Sequence, residues 1–473
     1  MSGTLAARSL PPGLDYTPAA GAWDELADAG TVREPYASVA EALARVDLVE
    51  AAHQIAAQLA ADGVAFGGGQ AARAFVVDPV PRLVAAAEWS LLERGVAQRA
   101  RALAAFVADV YDERAIVAAG VLPARVIDSA AGFEPALAGR PVGVAGFVAG
   151  LDLVRGADGV LAVLEDNVRT PSGIAYAHAA RLARERFLDA GVEALPTGPA
   201  FAMLGDALHA AAAAGPEDAH VVLLSDGPSN GAWHEHGVIA TRLGLPLVGP
   251  RDLEPRAGGL WHRSEGRARR IDVVYRRTDE DRLRDQRGRP TWLEAALLGP
   301  VLRGTLAVVN PLGSGVADDK LAHAYVEEMV RFYLDAEPLL ASVATYDLGD
   351  EAQRATVLGS LGDFVVKPRH GLGGDDVSIC SELDAAGRRA VADAVEAEPD
   401  RWVAQERIAI STHPTLCDGR LEPRHVDLRP FAIRGDAGAR TAPVALTRVA
   451  LERNSMVVNS SAGGGAKDTL VPA

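Results

Sequence analysis

The sequence predicts an α/β protein built from more than one domain. Its 473 residues suffice for two or three domains that each bury an apolar core. Apolar residues make up 49% of the chain and aromatic residues only 5%, a balance that suits a folded α/β enzyme and not a disordered chain. Between residues 216 and 312 the order strand, loop, helix, strand indicates a layer of parallel strands.

Charge and cysteine content exclude several classes of protein. The formal net charge of −16 argues against a general nucleic-acid binder, although a local basic cleft for a small anion is compatible with it. The two cysteines, Cys380 and Cys417, lie too far apart to suggest a zinc knuckle, so we expect reduced thiols. The N-terminal stretch lacks the apolar centre of a signal peptide, and no apolar run reaches the length of a membrane span. We therefore expect a cytoplasmic protein without membrane contact.

Composition along the chain predicts four parts. Residues 38–125 carry apolar side chains at helical spacing, whereas short β-like runs begin near residue 140. After about residue 360 the pattern is again rich in β-like runs and glycine. We expect a mainly helical N-terminal region, a segment with a polar hairpin, the parallel α/β layer, and a β- and glycine-rich C-terminal part. Their predicted bounds are 1–135, 136–215, 216–312 and 313–473.

The stretch "LEDNVRTPSG", residues 164–173, ends an apolar run with an unusual polar cluster. Upstream, Asp158-Gly159 is a strong signal for a two-residue hairpin turn, which would place Asp152 directly opposite Glu165. Alternation then puts Asp152, Glu165 and Asn167 on one face. Two carboxylates and an amide oxygen suit Mg²⁺, which completes its shell with water and phosphate oxygens. From this segment alone, a solvent-exposed hairpin end is an equally good interpretation.

The stretch "DFVVKPRHGLGGDDVSI" suggests a phosphate site. An apolar strand ends at Lys367, and Gly371, Gly373 and Gly374 follow in a loop. Glycines let backbone N–H groups approach phosphates, and the lysine supplies a point charge. The stretch lacks the helix that a dinucleotide-binding fingerprint requires. A glycine-rich hairpin without a ligand is the common alternative.

Several later β-like runs each end in polar residues. A single arginine on a strand is usually solvated, but four such strands favour a shared site. The residues in question are Gln405 and Glu406, Asp427 and Arg429, Arg448, and Asn459 before a triple glycine.

Together these motifs resemble the circularly permuted ATP-grasp type 2 family, relatives of glutathionylspermidine synthetase. In the usual ATP-grasp order the metal-binding acids come last, whereas here Asp152 and Glu165 come first, as in a permuted chain. The motifs extend over most of the chain from about residue 80. They read "EWSLLERGVAQRARAL", "LEDNVRTPSG", "IDVVYRRTDED", "GVADDK", "VVKPRHGLGG", "RHVDLRPF", "LTRVAL" and "VVNSSAGGGAKDT".

The resemblance implies a circularly permuted ATP-grasp fold, preceded by a parallel α/β domain at 216–312 that helps to shape the substrate site. It also implies ATP and Mg²⁺ as cofactors. Two departures from the family pattern are Asp226, where relatives commonly carry proline, and Ala462, where glutamine is expected.

The resemblance further assigns roles to individual residues. Lys320 and Lys367 would contact the ATP phosphates, and the loop 371–374 would close over them. Gln405 and Glu406 would border the adenine, with Asp427 also at the nucleotide. Asp152, Glu165 and Asn167 would ligate Mg²⁺, while Asp166, on the opposite strand face, would be structural. The residues implied to stabilise the transferring phosphate are Arg448, Arg429 and Arg169.

The activity that we expect from this set is a carboxylate–amine ligase acting on small-molecule or peptide substrates through an acyl phosphate. Arg276 in "YRR" and Asn459 are candidate substrate contacts, although a solvated strand end explains "YRR" equally well. Gln98 and Arg99 could face the cleft, but on an arginine-rich helix we interpret them as structural. The alternatives are an ATP-dependent phosphotransferase and a non-catalytic nucleotide-binding protein.

Overall fold

A computed structural model describes residues 8–213, 215, 218–256, 258–278, 282–285, 287–370, 376–453, 455, 458 and 464–473. Within these ranges the chain forms thirteen α-helices. They are α1 (Ala37–Leu43), α2 (Leu48–Ala61), α3 (Ala86–Tyr111), α4 (Ala115–Ala118), α5 (Ala124–Asp128), α6 (Ile174–Phe187), α7 (Pro199–Ala210), α8 (Trp233–Leu243), α9 (Trp292–Leu302), α10 (Lys320–His323), α11 (Val326–Leu334), α12 (Glu351–Gly359) and α13 (Ala385–Ala397). None of these helices combines the length and apolarity needed to cross a bilayer.

The strands of the described residues form six sheets. They are β1 (Arg8–Ser9), β2 (Ala27–Asp28), β3 (Thr31–Val32), β4 (Ala65–Phe66), β5 (Arg73–Ala74), β6 (Val77–Leu83), β7 (Val148–Arg155), β8 (Leu161–Asn167), β9 (Val221–Ser225), β10 (Leu247–Val248), β11 (Leu253–Arg256), β12 (Gly259–Ser264), β13 (Arg267–Ile271), β14 (Val273–Arg277), β15 (Ala307–Val309), β16 (Thr345–Asp347), β17 (Phe364–Pro368), β18 (Ser378–Ile379), β19 (Trp402–Glu406), β20 (Thr412–Cys417), β21 (Arg420–Gly435), β22 (Gly438–Val449) and β23 (Gly465–Leu470).

The largest sheet forms the centre of the molecule. Its order is β6-β23-β22-β21-β7-β8, with β20 paired to β21, and only the β23–β6 pair is parallel. Side chains of β21 alternate between two cores, since Ala432 packs with α3 whereas Phe431 and Ile433 pack with α6 and α7. The sheet is therefore covered by helices on both faces, as the period-two burial of its strands requires.

The parallel layer predicted for residues 216–312 is present. Strands β9, β10, β14 and β15 pair in the order β10-β9-β14-β15, and all of these pairs are parallel. The two central strands, β9 and β14, are buried along their whole length, as expected for a sheet with helices on its faces.

A smaller antiparallel sheet, β16-β19-β17-β18, has its own apolar core, which includes Phe364, Val366 and Ala404. This lobe meets the central sheet at β8. The backbone of Val163 donates to the carbonyl of Ala341 and accepts from the amide of Val343, just before β16 begins. The end of β8 therefore lies at the junction between the two sheets.

The predicted pairing of Asp152 with Glu165 is confirmed, but the predicted two-residue turn is wrong. The turn is a three-residue loop, residues 157–159, in which Gly159 adopts a left-handed φ of 80°. Arg155 therefore pairs with Leu161, one position off the predicted register. A β-bulge at Leu164 restores the register before Glu165. Two local deviations thus cancel at the position where the carboxylates meet.

Two other parts differ from the sequence expectation. Most of residues 38–125 is helical, but β6 within it is a fully buried strand of the central sheet. Its sequence, VDPVPRL, carries two prolines that a helix would exclude and that strand ends and edges tolerate. After residue 360 the chain also forms a helix, α13, whose N-terminus Asp384 caps by accepting from the Gly387 amide.

We predict that the buried ion pairs between α6 and β23 contribute more to the free energy of unfolding than an exposed ion pair within α6. Asp468 is 2% exposed and accepts from Arg181 and Arg184, so Asp468→Asn leaves two buried guanidinium groups undercompensated. This variant should lose roughly 3–5 kcal/mol of unfolding free energy, measured by urea denaturation. Glu185, half exposed and 3.8 Å from Arg181, is the matched control. Glu185→Gln should cost less than about 1 kcal/mol, and equal losses would contradict the prediction.

Candidate functional site

Two carboxylates face each other at the end of the β7–β8 hairpin. Asp152 is almost fully buried and accepts a bidentate pair of hydrogen bonds from Arg429 and another from Arg448, at 2.8 Å. Burial alone would raise the pKa of Asp152, but Arg429 and Arg448 outweigh it and lower the pKa below its usual range. Asp152 is therefore ionised at neutral pH.

Arg448 lies between two buried acids. It is opposite Asp427 in the β21–β22 pairing, and its Nε lies 3.0 Å from both oxygens of that carboxylate while its Nη2 contacts Asp152. Burial raises the pKa of Asp427, although Arg448 opposes this shift. Arg448 thus connects the hairpin to β21 through two charge-assisted hydrogen-bonded pairs.

Glu165 lines a pocket that is also lined by two lysines. Its side chain is 32% exposed, and its Oε1 lies 3.1 Å from the ammonium of Lys320 at the start of α10. Burial would raise the pKa of Glu165, but Lys320 outweighs it and the pKa is lowered. Lys367, on β17, donates to Gln405 on β19. Glu165, Lys320, Lys367 and Gln405 all line this pocket.

The pKa of Lys367 is lowered to about 8, mainly because burial penalises the charged ammonium. Lys320 lowers it further, whereas Glu165 acts in the opposite direction. An additional anion in the pocket would stabilise the charged form of Lys367.

The residues after Glu165 fix the remaining geometry of the hairpin end. Asp318, two residues before Lys320, accepts from the amides of Val168 and Arg169 and from the Arg169 guanidinium, at 2.6–3.1 Å. Asn167 has a buried amide nitrogen without a hydrogen-bond partner among the described residues. Hydrogen bonds from both backbone and side chain therefore join the segment "LEDNVR" to the segment "GVADDK".

The donor set fits a hard divalent cation. Asp152 and Glu165, which are register partners, could supply carboxylate oxygens, and Asn167, two residues on, its amide oxygen. The atom of Asn167 that lacks a partner among the described residues is the amide nitrogen, which donates and is not itself a metal ligand. Over the described ranges, no cluster of three or more His, Cys, Asp or Glu residues is arranged to hold a metal. A cation here would consequently depend on Asn167 and on oxygens of a bound ligand, as is usual for Mg²⁺.

A family model described as circularly permuted ATP-grasp type 2 matches residues 81–450. The chain belongs to this family. The match covers the hairpin, the two lysines and the strands that carry Arg429 and Arg448, so the family assignment and the site geometry concern the same residues.

The chain is also similar to individual proteins in sequence and in fold. The "Putative glutamate--cysteine ligase 2-3" of Frankia alni is 43% identical over 97% of this chain. An uncharacterised protein of Mycobacterium tuberculosis is 38% identical over 95% of this chain and 84% of its own length. The chain spans only about half of the Frankia protein, 54%. A glutathione synthetase-like effector from Globodera pallida has a similar fold, with a TM-score of 0.59, 12% identity, and coverage of 90% of this chain and 97% of its own.

The remaining predicted site residues lie in different surroundings. Glu406 is exposed and accepts from Tyr346. Arg276 is fully buried on β14 and donates to the carbonyl of Thr278. The predicted residues Gly371, Gly373, Gly374 and Asn459, and the departure Ala462, lie outside the described residues.

The sequence did not reveal which residues contact Asp166, on the other face of the hairpin from Glu165. Arg99 makes a bidentate pair with Asp166, which also contacts His323, so side chains of α3 and α10 hold Asp166. Gln98 is equally buried and pairs with the backbone of Glu337 and Leu339. Arg99 and Gln98 are thus structural, although they are buried and do not form a solvated helix face.

Lysine usage is a sequence signal that identifies the pocket. Lysine and arginine together number 47 in this chain, but only three of them are lysines: Lys320, Lys367 and Lys467. Two of them line the pocket, and Lys467 is fully buried against Asp78. Because nearly all other basic residues of the chain are arginines, a lysine indicates a position where a compact ammonium is required and a planar guanidinium would not fit.

We predict that amine-reactive labelling identifies Lys367 by its pH dependence. With a pKa of about 8, roughly half of Lys367 is neutral at pH 8, whereas an ordinary lysine titrates near 10.4. Acetylation of the folded protein, mapped by mass spectrometry, should increase at Lys367 as pH rises through about 8. Lys467 should stay unmodified because it is fully buried. The urea-unfolded chain is the control, and a Lys367 profile identical in both states would contradict the prediction.

Proposed function

We propose that the chain is an ATP- and Mg²⁺-dependent carboxylate–amine ligase that forms an amide bond through an acyl phosphate. The observation that carries this proposal is the pairing of Asp152 with Glu165 between four cations, Arg429, Arg448, Lys320 and Lys367. A triphosphate and a substrate carboxylate are both anionic, so their reaction requires this concentration of positive charge. Membership of the ATP-grasp family supports ATP as the nucleotide.

The proposed reaction has two steps. A carboxylate oxygen of the first substrate attacks the γ-phosphorus of ATP, and ADP leaves. The amine of the second substrate then attacks the acyl carbon, phosphate leaves, and an amide bond remains. No side-chain nucleophile is required, so the protein contributes orientation and charge stabilisation.

Each residue of the site has a role in this reaction that follows from its position. Lys320 and Lys367 would bind phosphate oxygens, Arg448 and Arg429 would stabilise the charge that develops on the transferring phosphoryl group, and Arg169 would assist them. Asp152, Glu165 and Asn167 would hold Mg²⁺, which supplies Lewis-acid polarisation of the phosphate oxygens when bound. Gln405 and Glu406 would border the adenine, and Asp427 would position Arg448, which donates to it.

We also propose the domain division that goes with this function. Residues 136–215 and 313–473 form the nucleotide-binding core, 216–312 presents the substrates, and 1–135 supports the core. The Frankia relatives are named as putative glutamate–cysteine ligases, so glutamate and cysteine are the first substrates to test.

We predict that the protein joins an acid and an amine with loss of water, producing one ADP and one phosphate per product. Incubation with ATP, Mg²⁺, glutamate and cysteine, followed by a wider panel of acids and amines, should reveal the product by mass spectrometry. A product heavier by one phosphoryl group would instead identify a phosphotransferase. Nucleotide binding without ADP release would identify a non-catalytic protein.

The matched variants test the hairpin directly. Glu165→Gln keeps the side-chain shape but removes the negative charge proposed to hold Mg²⁺ opposite Asp152, and should lower kcat by about 100-fold or more while the fold is retained. Glu254, an acid on β11 whose side chain is 41% exposed and forms a salt bridge with Arg256, is the control, and Glu254→Gln should leave kcat unchanged. Full activity of Glu165→Gln would contradict the proposed role.

A further inference from the structure

A groove beside α8 shares no lining residue with the pocket of Lys320 and Lys367. It has a volume of about 730 Å³ and lies between one face of α8, the hairpin of β4 and β5, and the end of α2. A volume of this order is typical of sites for small molecules. Most of the residues that line it are small or apolar, and they include Gly63, Ala65, Gly67, Ala72, Gly237 and Val238.

Gly237 lies in the middle of α8, where no contact within the described residues requires a glycine. A glycine inside a helix is less favourable than an alanine. Gly95 and Gly205 have a packing reason, since a Cβ at Gly95 would collide with Leu340 and one at Gly205 would lie 3.2 Å from Leu243. Around Gly237, no described atom lies within 4 Å of the Cβ position. The absent side chain instead leaves space in the groove that Gly237 lines.

Arg242 also lines the groove, and residues of α6 and α7 hold its guanidinium. Its Nη2 donates to Nε2 of His178 at 2.7 Å, and Nδ1 of His178 lies 2.6 Å from the Thr197 hydroxyl. The guanidinium also lies over the ring of Phe201, 5.0 Å from its centre. Burial lowers the pKa of His178 to about 4 and Arg242 lowers it further, so the ring is neutral and accepts.

The remaining donors of Arg242 are available to a ligand. Its Nε and Nη1 donate to no group of the described residues, and its side chain is exposed at the groove. A guanidinium that is already oriented binds a carboxylate in a bidentate manner with a small loss of side-chain entropy. This end of the groove therefore suits a carboxylate.

The other end of the groove has the opposite charge. Asp62, which ends α2, lines the groove together with His234. Burial lowers the pKa of His234, whereas the nearby carboxylates of Glu235 and Asp62 act against this shift, so Asp62 lies at the His234 end. His234 and Arg242 are separated along α8 by about 12 Å. An extended chain of three or four residues has its terminal charges at about this separation.

We propose that the groove binds a short peptide, with its C-terminal carboxylate on Arg242, its backbone over Gly237 and its ammonium group beside Asp62. The glycine and alanine residues of the walls allow the peptide backbone to approach closely, so we expect binding to depend little on the side chains of the peptide. His178 is a positioning residue that orients Arg242. The site goes beyond the proposed ligase reaction and requires neither nucleotide nor Mg²⁺.

Isothermal titration calorimetry with tetra-alanine, on the full chain without nucleotide, tests the carboxylate end. Wild type should bind the peptide with free ends at millimolar concentration, and at least about tenfold more weakly after amidation of its C-terminus. Arg242→Gln should weaken the free peptide to the level of the amide, so that the two peptides bind equally. Arg94→Gln, at an exposed arginine of α3, is the control and should keep the wild-type difference.

The amino end is tested in the same way. Acetylation of the N-terminus of tetra-alanine should weaken binding to wild type, because it removes the charge that Asp62 attracts. Asp62→Asn should abolish this effect of acetylation but keep the effect of C-terminal amidation.

Gly237→Ala separates a role in ligand binding from a role in the helix. The alanine should raise the midpoint of urea denaturation, because it favours the helix, and should weaken tetra-alanine by at least about fivefold, because its methyl group enters the groove. Gly359, the last residue of α12, is the matched control, since no described atom lies within 4 Å of its Cβ position. Gly359→Ala should raise the midpoint and leave peptide binding unchanged.

Three results would overturn the proposal. The first is that wild type does not bind tetra-alanine at millimolar concentration, or binds the free and amidated peptides equally. The second is that Arg242→Gln keeps the difference between these peptides. The third is that Gly237→Ala binds tetra-alanine as wild type does, while its raised midpoint shows that the variant is folded.

Discussion

The structure depends on two carboxylates that the hairpin holds directly opposite each other. Asp152 and Glu165 are register partners, so neither can move away without breaking the β7–β8 ladder. Two like charges at this distance in a largely buried place require compensation. Asp152 obtains it from Arg429 on β21 and Arg448 on β22, and Glu165 obtains it from Lys320 on α10. The charge on one hairpin therefore fixes where the central sheet, the smaller lobe and α10 meet.

These ion pairs also explain how one set of residues can serve two states. Without ligand, Lys320, Arg429 and Arg448 are each paired with an acid of the protein, whereas Lys367 donates to the amide of Gln405. In the proposed complex, Lys320 turns from Glu165 to phosphate while Glu165 turns to a cation, so pairs are exchanged and none is lost. The cost of binding is then smaller than that of burying new charges, because most of the desolvation occurs on folding.

The sequence predicted the parallel layer because strand–loop–helix order is a local pattern, and it predicted the family from its motifs. It predicted the paired acids from a two-residue turn that is wrong, and the pairing holds because the longer loop and the bulge cancel. It did not predict the bulge at Leu164, which accompanies the hydrogen bonds of Val163 to a segment about 180 residues away along the chain. The contact of Arg99 with Asp166 was equally hidden, because the helix pattern of α3 shows that a face is buried but not what lies opposite.

The loop that follows the hairpin connects the parallel sheet to the carboxylate pair. Arg277, at the end of β14, donates to the carbonyl of Pro171 and to the Ser172 hydroxyl. Arg429 donates to the carbonyl of Ser172 and holds Asp152 with its other nitrogens. A shift of β14 relative to the central sheet would therefore change the position of Ser172 and the hold of Arg429 on Asp152. The segment that follows "LEDN" thus couples the layer proposed to present substrates to the charge that organises the phosphate site.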